Sequence, residues 1–391
     1  MLPDVVVVGG GVVGCSCAYY LSREGLNVQL IERGALGSGT SKAPQCHTPS
    51  WELPEINLRL TRASSRLYQT LSEELPIDIE YERTGSLMLV DKPESLPSFL
   101  QTVGLLKAWG LVCRLLDADE LSGLEPNLAP HVAGGAFFSE DARVNPLLVT
   151  LGLAAGARNQ GALIQTFTKV TGIRLAASKR AVVAVDTTQG TIPTKYIVNC
   201  AGVWSREVAH MVGLDIPVLP RKGYLVVTEP VADNVINCKI ILAAGYVDSL
   251  KAGAELALAA NVQQTRSGNL VLGSSRQFVG FDWSIDPQVV CAMIARCLRL
   301  FPVLSGIHAI RCWAGLRPHT PDLVPIIGGV DTIEGLYLAT GHEGLGITLA
   351  PITGKLISQM ITGREAEFSV EELSLSRFAV DCSLSDRRTR L

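Results

Sequence analysis

The sequence predicts an α/β protein with a strand–turn–helix unit near each end of the chain and an antiparallel sheet between them. Near the N-terminus, the β-branched run at residues 5–8 leads through a glycine-rich turn into an apolar helix. Near the C-terminus, residues 335–339 form a predicted strand that leads through the glycine-rich turn 341–346 into another helix. Between these units, polar and apolar residues alternate in short runs, which is typical of strands buried on one face.

The N-terminal unit is predicted as a compact βαβ segment. Its first strand covers residues 5–8, and its helix runs from the glycine-rich turn to about residue 24. Its second strand covers residues 28–31 and ends at Glu32, where a loop of small residues, 34–41, begins. The order of strand, glycine-rich turn, helix and strand is that of a nucleotide-binding fold.

Further elements are predicted in chain order from periodicity and from turn residues. An acidic start signal at Asp117 and Asp119 supports the third of the middle helices. Residues 266–269 carry a hairpin signal that joins two of the strands. The predicted helices are 55–75, 101–109, 115–124 and 347–361; the predicted strands are 84–90, those within 181–198, 224–227, 256–262, 270–273 and 335–339. The polar tail, 383–391, is predicted to be disordered.

Composition bounds the classes of function that the chain can have. Its 391 residues correspond to two or three domains, and 47% hydrophobic with 18% charged residues indicate a folded globule. The formal net charge is −3, so the chain has no basic surplus for binding the phosphate backbone of a nucleic acid. Nucleic acid is therefore not an expected partner.

The cysteines and the N-terminal apolar run indicate the compartment. Ten cysteines are scattered without metal-ligand spacing, so they are interpreted as reduced thiols of a cytoplasmic protein, without a metal or iron–sulfur site. Glycines interrupt the apolar run at 5–21, which is therefore not expected to be an integral membrane segment. Peripheral association with a membrane through a partner subunit stays open.

Three glycines in the first turn predict a dinucleotide site. Gly9, Gly11 and Gly14 allow a tight turn, a close approach of the backbone to a pyrophosphate, and close packing of the helix on the strand. The N-terminus of the helix offers unpaired N–H groups and the positive end of its dipole. Eighteen residues after Gly14, Glu32 can accept hydrogen bonds from both ribose hydroxyls, and its charge would repel a 2′-phosphate.

The glycine motif alone does not separate FAD from NAD. A single motif at the N-terminus, with further glycine-rich turns far downstream, favours one dinucleotide held as a prosthetic group over an NAD-dependent dehydrogenase. The turn 341–346 feeds a helix whose N-terminus presents another set of unpaired N–H groups. Such a helix end could stabilise negative charge on a flavin ring that accepts a hydride.

Segments that match the motifs of one protein family occur along nearly the whole chain, in the same order as in that family. They are residues 9–33, 39–41, 161–170, 199–205, 313–318, 320–322, 325–328 and 341–351. With these segments the chain resembles the D-amino-acid oxidase superfamily of flavoproteins, and most closely its glycine oxidase and sarcosine oxidase-like branch. It is also similar to the beta subunits of opine oxidases and hydroxyproline dehydrogenases.

The resemblance implies a Rossmann-like FAD-binding domain of the glutathione-reductase type and a discontinuous α+β substrate domain on an antiparallel sheet. The implied FAD-binding segments are 1–83, 143–217 and 311–391, and the implied substrate-domain segments are 84–142 and 218–310. Val170 would contact adenine through its backbone, and the turn 341–348 would lie against the isoalloxazine. The motif and the resemblance together assign FAD binding to Gly9, Gly11, Val12, Val13, Gly14, Glu32, Arg33, Gly39, Thr40, Ser41, Gln45, Val170, Ala201, Gly202, Trp204, Gly341, His342, Gly344, Leu345, Gly346, Ile347 and Thr348.

Arg317 matches the arginine that binds the substrate carboxylate in this superfamily. Its chemistry agrees independently, because a guanidinium stays charged and binds a carboxylate through two parallel hydrogen bonds. Such a contact would aim the carbon beside the amine at the flavin. His342 lies in a Gly-His-Glu-Gly turn and is interpreted as a packing or backbone-bonding residue rather than a catalytic base.

Two predicted catalytic positions depart from the family pattern. Asn261 stands where glycine oxidases carry another carboxylate-binding tyrosine, and Arg276 stands at an apolar position near the substrate tail. If Arg276 faces the cavity, a second fixed cation would suit a substrate with another carboxylate, as in the opine oxidases. The alternative is a surface arginine beside Asp282.

The resemblance implies noncovalent FAD, because Gly315 stands where the sarcosine oxidase branch carries a flavin-linking cysteine. The predicted reaction takes a hydride from the carbon beside the amine of an amino or imino acid, and the imine is then hydrolysed. Opines, hydroxyproline, glycine and sarcosine are the substrates that the resemblance suggests. Two alternatives stay open: a flavin-carrying beta subunit whose electrons go to partner subunits, and a weakly catalytic subunit that assembles a complex.

Overall fold

The computed structural model of the chain describes residues 2–45, 47–243, 256–366, 368–369 and 371–378. The predicted disordered tail, 383–391, lies outside the described residues, as does Cys46 of the loop after Ser41. Of the helices within the described ranges, none combines the length and the apolarity needed to span a bilayer.

The N-terminal βαβ unit is confirmed. Strand β1 (Val5–Val8), helix α1 (Val12–Arg23) and strand β2 (Val28–Ile31) follow one another, and β1 pairs in parallel with β2. All four valines of β1 are buried. Because successive side chains of a strand point to opposite faces, β1 contributes to two separate hydrophobic cores.

A six-stranded sheet surrounds this unit. Its strands, in spatial order, are β18 (Ile326–Val330), β19 (Ile333–Thr340), β12 (Tyr196–Asn199), β1, β2 and β8 (Leu163–Gln165). The pairings are parallel except for the antiparallel β18–β19 pair. The carboxyl ends of β1, β12 and β19 therefore meet at one edge, which is where ligands bind in open α/β sheets.

Helices cover one face of this sheet. Helix α1 packs between α5 (Pro146–Asn159) and α8 (Gly346–Thr362), and α2 (Glu55–Glu74) packs on α8. The α1–α8 contact is close, since a Cβ placed at Gly354 would lie 2.5 Å from Ser16 Oγ. The opposite face packs on a three-stranded sheet of β9 (Val170–Leu175), β10 (Val182–Thr187) and β11 (Gly190–Pro193).

The middle of the chain forms an eight-stranded mixed sheet. Its strands, in spatial order, are β17 (Ala309–His319), β13 (Leu219–Pro230), β16 (Asn269–Gln277), β15 (Leu256–Gln264), β14 (Lys239–Leu242), β4 (Ser86–Val90), β6 (Gly134–Phe138) and β5 (Arg114–Leu116). The predicted hairpin is confirmed, because β15 pairs antiparallel with β16 on either side of its turn. The β4–β14 pair is parallel, so the sheet is not antiparallel throughout.

Other elements differ from the prediction at their boundaries, and several, such as α5, β6, β14, β17 and β18, were not predicted. Helix α3 (Leu96–Ala108) begins five residues before the predicted start, and the segment predicted as helix 115–124 begins as β5. The helical part of that segment, α4 (Ala118–Leu124), starts at Asp117, one of the two acidic residues of the predicted start signal, which forms a capping box with Glu120. Helix α7 (Pro287–Leu300), which the sequence pattern did not predict, packs on β15 and β16.

Candidate functional site

A continuous cavity connects the carboxyl edge of the six-stranded sheet with one face of the eight-stranded sheet. Arg317, Arg276 and Asn261 all line it, although they come from three different strands. The predicted cofactor-binding residues line it as well, except for Gly14 and Gly341. Among the described residues, no group of three or more His, Cys, Asp or Glu side chains comes together to hold a metal ion.

In the N-terminal glycine-rich turn, the backbone itself lines the cavity, because the glycines carry no side chains. Gly9 has a φ of +112°, and a Cβ there would lie 2.6 Å from the carbonyl oxygen of Cys200. Gly11 precedes α1, and the N–H of Val12 donates to Ser41 Oγ at 2.9 Å. Gly14 does not line the cavity; it packs closely on the backbone of Gly9, since a Cβ at residue 14 would lie 1.9 Å from Gly9 O.

The Glu32 carboxylate is fixed at the cavity wall by backbone donors. Its Oε2 accepts from Gly10 N at 2.6 Å, and its Oε1 accepts from Gly34 N at 2.7 Å. Because a carboxylate can accept about four hydrogen bonds, these two leave capacity for ligand hydroxyls. Beyond Glu32, the guanidinium of Arg33 lies 3.8 Å over the ring of Trp204, which stacks in turn on Phe281.

The loop after residue 39 crosses the cavity and is tied to the eight-stranded sheet. Thr40 Oγ1 donates to Leu316 O at 2.6 Å, and Gln45 Nε2 donates to Val271 O at 3.0 Å. The ammonium of Lys239, a buried residue of β14 that lines the cavity, donates to Gln45 Oε1. Sequence reasoning missed Lys239, because its sequence neighbourhood carries no motif.

A buried aspartate holds the next part of this loop. Asp141 is fully buried and accepts hydrogen bonds from Ser50, Trp51 and Ser86, and it lies 3.0 Å from His47 Nε2. Burial lowers the pKa of His47; the Asp141 contact opposes this shift, and the charge of Lys239 adds to it. His47 also lines the cavity, and the sequence offered no signal for its pairing with a residue so distant in the chain.

The C-terminal glycine-rich turn forms the other end of the cavity. Helix α8 begins without a side-chain cap, so the first N–H groups of the helix are available to a ligand. His342 is buried, and its Nε2 lies 2.9 Å from Thr353 Oγ1. Burial lowers the pKa of His342 to about 3, so the ring is neutral at neutral pH. That His342 is a packing residue rather than a catalytic base stays a prediction.

The neutral His342 makes the stability of the folded chain dependent on pH. An unfolded histidine binds a proton below about pH 6.5, whereas the folded one does not bind it until about pH 3. This contribution to stability is therefore complete above pH 6.5 and is lost as the pH falls towards 3. When the pH falls from 7 to 5, the loss of this contribution lowers the free energy of unfolding by about 2 kcal/mol.

We expect His342→Gln to remove this part of the pH dependence. Urea unfolding of the wild type and the variant at pH 7 and pH 5 measures it as the difference between the two pH values. A lower stability of the variant at both pH values does not affect this comparison. An unchanged difference would mean that folding does not lower the pKa of His342.

Arg317 lies flat across the eight-stranded sheet. Its Nη1 donates to Ser275 O at 3.0 Å. A Cβ placed at Gly223, on the neighbouring strand, would lie 2.1 Å from this Nη1, so the absence of a side chain there makes room for the guanidinium. The orientation of Arg317 is therefore set by neighbours on β13 and β16, and its guanidinium faces the cavity.

Arg276 is buried in the cavity wall, so the expectation of a surface arginine beside Asp282 is wrong. Asp282 pairs instead with Lys222, at 2.6 Å. Arg276 is 4% exposed, and its Nε lies 3.2 Å from Glu343 Oε1. The same carboxylate oxygen lies 3.6 Å from Arg221 Nη1.

Glu343 is held as an anion by this cluster of arginines. Burial by itself raises the pKa of its carboxyl group, but Arg276, Arg317 and Arg221 together lower that pKa to about 2. Glu343 and Arg221 were not predicted from the sequence. The acidic residue of the Gly-His-Glu-Gly turn was visible there, but its arginine partners lie on strands far away in the chain.

Asn261 lines the cavity, and its side-chain amide is buried. The residue is 6% exposed, and its Nδ2 lies 3.4 Å from Ser274 Oγ. Its Oδ1 is buried and has no partner among the described residues. A buried acceptor of this kind costs free energy unless a ligand or water completes it.

Residue 315 of β17, which lines the cavity, is a glycine and therefore offers no thiol to a flavin. A Cβ at Gly315 would lie 2.6 Å from the Cβ of Ala43 in the crossing loop. Cys312 packs on the other face of the strand, against the core between the sheet and α7. Cys200 does line the cavity, and burial raises the pKa of its thiol.

Comparison with known proteins adds three kinds of similarity. A family model described as FAD dependent oxidoreductase (DAO) matches residues 4–360. Glycine oxidase of Bacillus licheniformis is 31% identical over 371 residues, covering 92% of this chain and 93% of the relative. Hydrogen cyanide synthase subunit HcnC of Pseudomonas protegens is 28% identical over 419 residues, with 96% of each chain covered. The solved structure of L-proline dehydrogenase from P. horikoshii has a TM-score of 0.88 and 26% identity, covering 96% of this chain and 98% of that chain.

Proposed function

The chain belongs to the DAO family of FAD dependent oxidoreductases, and from this premise we propose that it oxidises an amino or imino acid whose carboxylate is held by Arg317. At the level of the family, the chain is an FAD-dependent enzyme of the amino-acid oxidase and dehydrogenase type. The proposal that the substrate is a carboxylic acid rests on the Arg317 guanidinium, which its hydrogen bond to Ser275 O fixes on the cavity wall.

The residues around the cavity fit FAD. At one end, the glycine turn and the N-terminus of α1 offer backbone N–H groups to a pyrophosphate, and Glu32 offers a carboxylate to a ribose. At the other end, the uncapped N-terminus of α8 faces the position expected for the ring. When bound, FAD accepts a hydride from the carbon beside the substrate nitrogen.

The residues of the chain bind and orient the substrate. Arg317 holds the carboxylate through two parallel hydrogen bonds, which fixes the carbon beside the nitrogen relative to the ring. The amide of Asn261, which lines the same cavity, offers a hydrogen bond to the substrate amine. The imine that results is hydrolysed by water.

Two finer features complete the proposal. We propose that FAD is bound noncovalently, which the side-chain-free position of Gly315 and the orientation of Cys312 support. We also propose that residues 1–83, 143–217 and 311–391 form an FAD-binding domain of the glutathione-reductase type. Residues 84–142 and 218–310 would then form the substrate domain.

Anaerobic reduction of the purified holoprotein tests the proposed function. The chain alone, without partner subunits, is mixed with glycine, sarcosine, D- and L-proline, hydroxyproline and opines, and the visible absorbance of FAD is followed. We expect at least one of these amino acids to bleach it. A flavin that dithionite reduces but no amino acid bleaches would contradict the proposal and favour the role of a catalytically weak assembly subunit.

A further inference from the structure

We propose that His47 is a catalytic residue of this cavity: its Nδ1 accepts the proton that the substrate amine must lose before the adjacent carbon can be oxidised. Asp141 positions the ring and stabilises the proton once it is on the ring. This inference rests on the proposed function, because it takes an amino acid held by Arg317 as the substrate. It goes further by assigning a proton acceptor to the reaction.

The hydrogen bonds of Asp141 determine which nitrogen of His47 carries the proton. Asp141 Oδ1 accepts from the backbone N–H and the hydroxyl of Ser50, at 2.7 and 2.6 Å. Its Oδ2 accepts from Trp51 Nε1 at 3.2 Å and from Ser86 Oγ at 2.5 Å. The aspartate is therefore an acceptor at both oxygens, since backbone and indole N–H groups can only donate. His47 Nε2, which lies 3.0 Å from Oδ2, donates to it, and Nδ1 of the neutral ring keeps its lone pair.

The other ring nitrogen of His47 is accessible from the cavity. His47 lines the cavity, and its side chain is 10% exposed. Within the described ranges, Nε2 makes the hydrogen bond to Asp141 and Nδ1 makes none. Nδ1 is also not among the described polar atoms that are fully buried without a partner, so it has accessible surface. A ligand in the cavity can therefore reach an unprotonated nitrogen.

The pair of His47 and Asp141 lies against the cavity-facing side of the eight-stranded sheet. Ser86 of β4 donates to Asp141, and it lies opposite Lys239 in the parallel β4–β14 pair. Lys239 lines the cavity, and its charge lowers the pKa of His47. The pair is therefore close to β14, the strand next to β15.

The residues that bind the substrate come from the next strands of the sheet. Asn261 lies on β15, and the Arg317 guanidinium reaches across β13 to Ser275 O of β16. From β16 to β14, the wall thus presents the carboxylate-binding guanidinium, the amide of Asn261 and His47 in that order. Because neighbouring strands lie about 4.8 Å apart, an amino acid held by Arg317 can direct its nitrogen over β15 towards His47.

The reaction requires a proton acceptor at this point. A free amino acid carries its amine as an ammonium at neutral pH, and an ammonium nitrogen has no lone pair with which to form a C=N bond. When the N–H bond breaks, its electron pair stays on the nitrogen and the proton goes to His47 Nδ1. The C–H bond then breaks, the hydride passes to FAD, and the nitrogen electron pair forms the iminium that water hydrolyses.

The charges around His47 suit a group that takes up and releases a proton. Burial has the largest effect and lowers the pKa of His47, so the ring is neutral and can accept a proton at neutral pH. Asp141 raises that pKa and Lys239 lowers it. Arg143, which lies opposite His47 on the paired strand, forms an ion pair with Glu82. Asp141 is thus the group that stabilises the imidazolium when it forms.

The pH dependence of flavin reduction tests this role. The holoprotein is mixed anaerobically with a saturating concentration of the amino acid that reduces the flavin fastest among those tested for the proposed function. We expect the limiting rate of the wild type to be nearly constant from pH 7 to pH 9. In His47→Gln the rate at pH 7 should be at least about 100-fold lower and should rise about tenfold per pH unit, as the solvent deprotonates the amine. A loss by the same factor at every pH would indicate a structural role and overturn the inference.

The variants are chosen to preserve the fold. His47→Gln keeps a side-chain N–H that can donate to Asp141, so the buried carboxylate keeps a partner. In His47→Ala, imidazole added to the buffer should restore part of the rate in proportion to its concentration, because it supplies a proton acceptor. His308→Gln is the matched control: His308 pairs with Glu229 at 2.8 Å but is exposed and does not line the cavity. This variant should keep the wild-type rate and pH profile.

The tautomer of His47 can be measured without turnover. In holoprotein labelled with [15N]histidine, the chemical shifts of the ring nitrogens at pH 7.5 show which nitrogen carries the proton. The signals that disappear in His47→Gln are those of His47. We expect a protonated Nε2 and an unprotonated Nδ1. A proton on Nδ1 would overturn the inference, because that nitrogen could not accept another.

The outcomes separate this inference from the proposed function. If an amino acid reduces the wild type and His47→Gln shows the wild-type pH profile, the proton acceptor is overturned and the role of Arg317 stays intact. If no amino acid bleaches the wild-type flavin, the proposed function fails, and the role of His47 fails with it.

Discussion

Arg317→Met is expected to lower kcat/KM for an amino-acid substrate by roughly 30- to 1000-fold, mainly through a higher KM. The loss of a bidentate contact between a guanidinium and a carboxylate corresponds to about 2–4 kcal/mol of binding free energy. Methionine keeps the apolar stem of the side chain but is shorter than arginine and has no donor for the substrate carboxylate. Steady-state kinetics, together with the rate of anaerobic flavin reduction, measures the effect.

The controls separate substrate binding from damage to the fold. The variant should retain FAD, because the cofactor-binding residues at the glycine turn and at α8 are not changed. Arg317→Lys keeps the charge without the planar fork and should give an intermediate loss. Arg311→Met should retain wild-type kinetics. Wild-type kinetics in Arg317→Met would mean that the carboxylate binds elsewhere.

Gly14→Ala is expected to lower the free energy of unfolding by about 2–4 kcal/mol and to abolish retention of FAD on desalting. The added Cβ would lie 1.9 Å from Gly9 O, which no side-chain rotation can relieve. The first turn of α1 would have to move away from β1. That movement displaces the N–H groups which the proposed pyrophosphate site needs.

The same substitution elsewhere provides a matched control. Gly104 lies in the exposed part of α3, and a Cβ there meets nothing within 4 Å. Gly104→Ala should raise the free energy of unfolding by about 0.5–1 kcal/mol, since alanine favours a helix over glycine. Urea unfolding and the FAD content after desalting are measured for both variants. If Gly14→Ala matched Gly104→Ala in both measurements, the close contact at Gly9 would be unimportant.

The elements that the sequence predicted well depend on neighbours in the chain. The βαβ unit, Glu32 at the end of β2, and helix α8 after its glycine-rich turn were all expected with nearly their observed bounds. The acidic helix start at Asp117 and the β15–β16 hairpin were readable for the same reason. Each of these features is specified by spacing within a few tens of residues.

The elements that were missed or misplaced depend on packing. Helix α7 carries a proline and an aspartate cap at its start, but no motif drew attention to it. The segment 114–116 became a strand because it pairs with β6, which a local helix signal cannot reveal. The parallel β4–β14 pair likewise joins residues about 150 positions apart.

By itself, the sequence determined the dinucleotide-binding unit, the glycine-rich turn at the start of α8, and the identity of Arg317 as a candidate for carboxylate binding. Only the tertiary structure decided that Arg276 is buried in the cavity wall beside Glu343 and Arg221, and that Lys239 and His47 line the same cavity. The glycine motif acts through one continuous stretch of backbone, so its geometry follows from local spacing. The arginine cluster is assembled from β13, β16, β17 and a distant turn, and its geometry exists only once the strands have found their order and register.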